Sequence, residues 1–156
     1  MPLPAFQRVL DDHRDELHRF LVASAGRDDA DDCFQEMVLS ALRAYPRLDP
    51  DANVRAWLFT IAHRKAIDAH RGRARRAVPA EDPAAGRAAA PDPEPADGSL
   101  WALVRALPPK QRGAVALRFV ADFDHAQVGA ALGCSEAAAR RNLHEGLAKL
   151  RKEWVP

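Results

Sequence analysis

Cysteine is scarce: Cys33 and Cys134 are the only two, with no CxxC pair and no regular spacing, which argues against a disulfide framework or a zinc knuckle and leaves both as small core residues. No apolar run approaches the roughly 20 residues of a membrane span. The stretch MPLPAFQRVLDDHRDE also lacks a signal peptide's basic start and apolar centre. The expectation is therefore a soluble cytoplasmic protein without membrane insertion. Strand-type alternation of β-branched residues is missing too, so the predicted fold is all-α. The six histidines contain no HExxH, no glycine-rich phosphate loop is present, and no Ser or Cys lies in a nucleophile motif. These absences predict no enzyme, no cofactor, no metal site and no small-molecule substrate. His63 and His70 share a helix face but have no cysteine or paired carboxylate nearby, and they read as solvated or phosphate-facing.

What is present is enough for a core. Of 156 residues 47% are hydrophobic and 29% charged, a balance that excludes global disorder. The net charge of +1 hides a block pattern. Residues 1–50 carry six basic and ten acidic side chains, 51–80 seven and two, 81–99 one and five, and 100–156 nine and five. Two positive blocks suit phosphate, and an acidic one suits a basic protein surface.

Residues 79–99, PAEDPAAGRAAAPDPEPADGS, hold five prolines, two glycines, seven alanines and no large apolar side chain. Such a segment cannot bury enough surface to offset its ordering entropy, and it reads as a flexible linker between two small helical domains. The predicted division is 1–78, linker 79–99, and 100–156. In the first part, Phe6, Val9, Leu10, His13, Leu17, Phe20 and Leu21 form one helical stripe that Gly26 ends. A second helix begins near Asp28 and Asp29, with Ala30, Cys33, Phe34, Met37, Val38, Ala41, Leu42 and Tyr45 predicted inward. A third runs from about Asp51 to Arg76, its buried side being Val54, Trp57, Leu58, Ile61 and Ala62.

In the second part, Asp124 is placed as an N-cap, Gly133 as a left-handed C′ residue, and Ser135 as the cap of a last helix with Ala139, Leu143, Leu147 and Leu150 inward. Two helices joined by a short turn containing glycine make a helix-turn-helix, whose second helix can enter a DNA major groove.

Laid out in order, the chain resembles the small two-domain extracytoplasmic-function sigma factors of bacterial RNA polymerase. Three stretches carry the resemblance: DADDCFQEMVLSAL is similar to the polymerase-docking helix, NVRAWLFTIAHRKAIDAHRGRARR to the −10 recognition and melting segment, and LPPKQRGAVALRFVADFDHAQVGAALGCSEAAARRNLHEGLAKLRK to the −35-binding domain. The resemblance implies a transcription initiation factor whose partners are core polymerase, through its β′ clamp and β flap, promoter DNA, and an anti-sigma factor, since the chain has no sensory domain of its own.

The residues can be weighed physically beside that name. Asp32, Gln35 and Glu36 form one acidic, hydrogen-bonding strip away from the apolar stripe, and the resemblance makes them clamp-binding. On the third helix, Arg64, Lys65, Arg71, Arg73, Arg75 and Arg76 supply cations beside the aromatic Trp57 and Phe59, a combination suited to melted DNA. Trp57 also shares the core stripe. The resemblance adds Asn53 and Arg55, in the segment that holds a flipped base. In the last helix, Arg140 and Arg141 project opposite the leucine stripe and are the −35 candidates, with Ser135 and His144 beside them; Glu145 departs from the family's more basic pattern, as Arg64 does from its frequent Asn. An autonomous helix-turn-helix regulator is the alternative, but it has no use for the acidic strip. A pure interaction module has none for the clustered arginines.

Overall fold

Residues 3–77 and 100–154 are described by the structure, a computed structural model; the expected linker 79–99 lies outside them. Among the described residues seven α-helices and one short 3-10 turn follow in order: α1 (Phe6–Ala25), α2 (Arg27–Ala44), the turn (Tyr45–Arg47), α3 (Val54–Ala77), α4 (Leu100–Arg105), α5 (Pro109–Phe119), α6 (His125–Leu132) and α7 (Glu136–Glu153). No strand occurs among the described residues.

Helix α1 meets α2 at Gly26, and Asp28 and Asp29 occupy the first turn of α2, where carboxylates suit unpaired amides. Helix α3 starts at Val54 rather than near Asp51. The Asp49 carboxylate accepts the Asp51 N–H at 2.9 Å, which closes a local turn, and the Asn53 side chain caps the Ala56 N–H at 3.0 Å. Both side chains offer the backbone a non-helical partner until Val54.

The first domain packs α1, α2 and α3 around Leu17, Phe20, Leu21, Met37, Leu58 and Phe59, all fully buried, with the rings of Phe20 and Phe59 edge to face at 5.4 Å. Polar ties cross it, among them two from the second half of α3. His70 donates from Nε2 to the Ser24 carbonyl at 2.7 Å, and Arg73 pairs with Asp29. Leu42, expected inward, is 51% exposed, because α2 buries the narrower stripe of Ala30, Cys33, Met37 and Ala41.

In the second domain the predicted caps are present. Asp124 and Gln127 make a capping box on α6, Gly133 ends it at φ 72°, and the Ser135 hydroxyl accepts the Ala138 N–H at 3.0 Å. The sequence reading missed Gly129. A Cβ there would stand 2.9 Å from the Cys134 carbonyl oxygen, so only glycine lets the turn close against α6.

The two domains also pack on one another, with α1 against α4 and α5 and α3 against α6. This contact buries His63, at 4% exposure, and so corrects its reading as a solvated residue.

Candidate nucleic-acid and polymerase interface

Three surfaces gather the predicted residues. On α2, Asp32, Gln35 and Glu36 are all exposed. Leu39, 46% exposed, and Leu42 continue the same side of the helix at steps of four and three from Gln35, a spacing that aligns them. Acidic heads beside bare leucines can grip a basic helix by its charge and its aliphatic stems together. Leu42 sits at the edge of the stripe that periodicity turns inward, and Leu39, on the opposite side from Met37 and Ala41, has no role in the sequence reading.

Along α3 the candidates divide. Arg64, Arg71, Arg75 and Arg76 are exposed and stand ready for phosphate. Arg73 is half-buried and paired with Asp29, which makes it part of the fold of the first domain. Lys65 is half-buried, its carbonyl accepting from the Cys33 thiol at 3.7 Å. Trp57 is half-buried beside Tyr45, with ring centres 6.1 Å apart. Phe59, paired with it as an exposed aromatic in the sequence reading, is wholly buried and cannot stack on a base. Asn53 is exposed but spends its side-chain oxygen on the cap. Arg55 is half-buried and bound on two sides, by Glu16 and by the backbone of the second domain.

On α7, Ser135, Arg140, Arg141 and His144 are all exposed, around the first turns of the helix. Arg140 leans back on Glu136 at 3.1 Å, an i,i+4 pair in solvent that yields readily to a base edge. Glu145 accepts from Gln111 Nε2 at 3.3 Å. That bond ties α7 to α5 and gives the departing carboxylate a partner inside the domain.

An acidic and apolar face on one helix, a basic helix beside it and a helix-turn-helix in the second domain are thus three parts of one molecule. Residues 9–76 match the family model for sigma-70 region 2, and residues 97–150 that for sigma-70 region 4. The chain is 34% identical to the ECF RNA polymerase sigma factor SigD of Mycobacterium tuberculosis, covering 97% of this chain and 77% of SigD. It belongs to the extracytoplasmic-function sigma factors. To the RNA polymerase sigma factor CarQ of Myxococcus xanthus it is 33% identical, over 79% of this chain and 73% of CarQ. Among solved structures, CnrH in complex with the cytosolic domain of CnrY is 25% identical with a TM-score of 0.70, covering 95% of this chain and 86% of CnrH. The sigma factor RpoE in complex with the anti-sigma factor NepR from Bartonella quintana shares the fold, at a TM-score of 0.73, 20% identity and 96% coverage of both.

As a sigma factor the protein is a promoter-directing initiation factor of RNA polymerase. No helix among the described residues is long and apolar enough to cross a membrane, and no group of three metal-ligating side chains occurs among them. Burial raises the Cys33 thiol to about 11, with Asp29, Asp32 and Asp68 adding to the shift, so it is inert near neutral pH.

Burial, reinforced by the cations Arg112 and Arg64, lowers His63 from 6.5 to about 4. His70 shifts the same way, by burial against the opposing pull of the Ser24 carbonyl. An opened or unfolded chain therefore binds a proton below 6.5 that the packed chain refuses. The stability of the packed form should be full above that value and fall as pH drops towards about 4, by up to about 1.4 kcal/mol per pH unit for His63. Urea midpoints at pH 7 and pH 5 should differ less in His63→Gln than in the parent. An equal difference in both proteins would reject this role for His63.

Proposed function

We propose that residues 1–78 bind core polymerase and the −10 element, that 79–99 tether the halves, and that 100–156 bind the −35 element. Asp32, Gln35 and Glu36, with Leu39 beside them, take the polymerase clamp. Asn53, Arg55, Trp57, Arg64, Lys65, Arg71, Arg73, Arg75 and Arg76 line the −10 and melting path, and Ser135, Arg140, Arg141 and His144 approach the −35 element. The second domain meets the β flap. The protein acts in the cytoplasm as an initiation factor and performs no catalysis of its own.

The observation that carries this reading is the exposed acidic and leucine strip on α2. A regulator acting without polymerase has no partner for it, which disfavours the autonomous alternative. Reversing one charge at the strip should replace attraction by repulsion. Glu36→Lys is expected to weaken binding to core polymerase by at least about tenfold, or about 1.4 kcal/mol, with unchanged helicity by circular dichroism. Equal affinity of mutant and parent in a core titration would remove the assignment. An anti-sigma factor is a further proposed partner. CnrH and the Bartonella RpoE were each solved with a protein partner, in the second case a named anti-sigma factor, and this chain offers the same two-domain form.

A further inference from the structure

Nine basic side chains make residues 100–156 positive, and the structure disposes of them unequally. Arg112 is buried, its Nη1 donating to the carbonyls of Arg105 and Leu107. Arg105 itself lies along Gly26 of the first domain, and Arg118 leans on Asp122. Arg140 and Arg141 are the proposed −35 contacts. Lys110, Lys149, Arg151 and Lys152 are left with no role, and all are exposed.

Two of these continue the −35 face. At 3.6 residues per turn, Lys152 stands about three turns beyond Arg141 and Arg151 about two turns beyond His144, so each pair shares a row on the outer side of α7. Ala137 and Ala148 fall on the same side and are exposed, and their small side chains let a partner come close to the helix. The carboxylates nearest these rows are already partnered, Glu136 with Arg140 at 3.1 Å and Glu145 with Gln111 at 3.3 Å. The helices packed on α7 are α4, α5 and α6 of its own domain, so the basic face is open while the two domains are in contact. Cations in a last turn also complement the helix dipole, but any side of the helix would serve that purpose.

Length decides what this face meets. Helix α7 has 18 residues and is about 27 Å long, whereas the major groove of B-DNA is about 12 Å wide. With the first turns in the groove, the last turn lies about 15 Å further along the axis, over a wall of the groove where phosphates are the groups on offer. We propose that Arg151 and Lys152 form a phosphate grip on the same duplex that the first turns of α7 read, adding affinity without sequence preference. The proposal rests on the reading of the second domain as −35-binding, and it extends that site from one end of the helix to the other.

The test uses holoenzyme made from the full-length chain and saturating core polymerase, on duplex promoter fragments that differ only at −35. Arg151→Gln with Lys152→Gln removes both charges at exposed positions, with helicity by circular dichroism expected to stay unchanged. Two phosphate contacts carry a salt slope of about 1.8, so between about 50 and 200 mM salt the parent should lose about tenfold more affinity than the variant. The rank order of −35 sequences should stay the same. Arg151→Lys with Lys152→Arg keeps the charges and should keep the parental slope; a slope reduced there too overturns a grip made by charge. An unchanged slope in the glutamine variant overturns the proposal, as does lower transcription at parental DNA affinity, which would place a protein against this face. A shifted −35 preference also overturns it, because the two residues would then read bases. Arg140→Ala on the same fragments separates the premises. If it changes the −35 preference while the glutamine variant changes nothing, the domain reads −35 and the grip fails; if Arg140→Ala has no effect either, the reading of the domain itself falls.

Discussion

Phe59→Ala should cost the protein about 3–5 kcal/mol of stability, the range for emptying a fully buried aromatic site. The ring stands between Phe20 of α1 and Phe123 of the second domain, edge to face with both at 5.4 and 5.2 Å, and has no exposed surface. Phe20 of α1, Arg55 of α3 and Phe123 just before α6 would line the cavity, and each belongs to a separate packed element, which limits how far it can collapse. Against a typical net stability of about 5–15 kcal/mol, this loss is large enough to unfold part of the population at 37 °C. Trp57→Ala, two residues earlier but half-buried beside Tyr45, should cost less than half as much. Urea denaturation of both variants measures the difference. A loss below about 1 kcal/mol for Phe59→Ala would mean that the ring is not the hinge of the core described above.

The second large effect concerns promoter choice. Arg140 and Arg141 are exposed in the first turns of α7, the end of a recognition helix that approaches base edges. A bidentate arginine–guanine contact discriminates by about 1–3 kcal/mol, so Arg140→Ala or Arg141→Ala should change the preferred −35 sequence by about five- to 150-fold in relative output. The exposed arginines at the end of α3 should fail differently. Arg71→Ala with Arg75→Ala removes two candidate phosphate contacts, lowers output on every promoter alike, and reduces the salt dependence by about one unit per contact. Arg73 is left in place in that pair because Asp29 holds it and its removal would confound binding with stability. Transcription from a promoter library with core polymerase reads both results. If the Arg140 and Arg141 variants keep the parental −35 preference, base reading passes to His144 and Glu145.

Local chemistry made much of this protein legible from its residues alone. The stripes of α1 and α7, the Asp124 and Ser135 caps and the left-handed Gly133 each depend on neighbours within a turn or two, and the structure carries them as expected. The exposed strip of Asp32, Gln35 and Glu36 follows from the same periodicity. What the sequence could not decide depends on partners far along the chain. Arg55 finds its carboxylate 39 residues away and its carbonyl 66 away, and Arg73 its aspartate 44 away; no spacing rule marks such pairs. Periodicity assigns one buried stripe to a helix, so it described α3 by Leu58, Ile61 and Ala62 and left Phe59 and His63 outside. The tertiary structure packs α3 on two sides, against its own domain and against the other, and thereby buries a second stripe. A helix with two buried faces has little polar face left to reveal its orientation, which is why only the tertiary packing, within the first domain and between the two, showed which basic residues of α3 are exposed and which are already held.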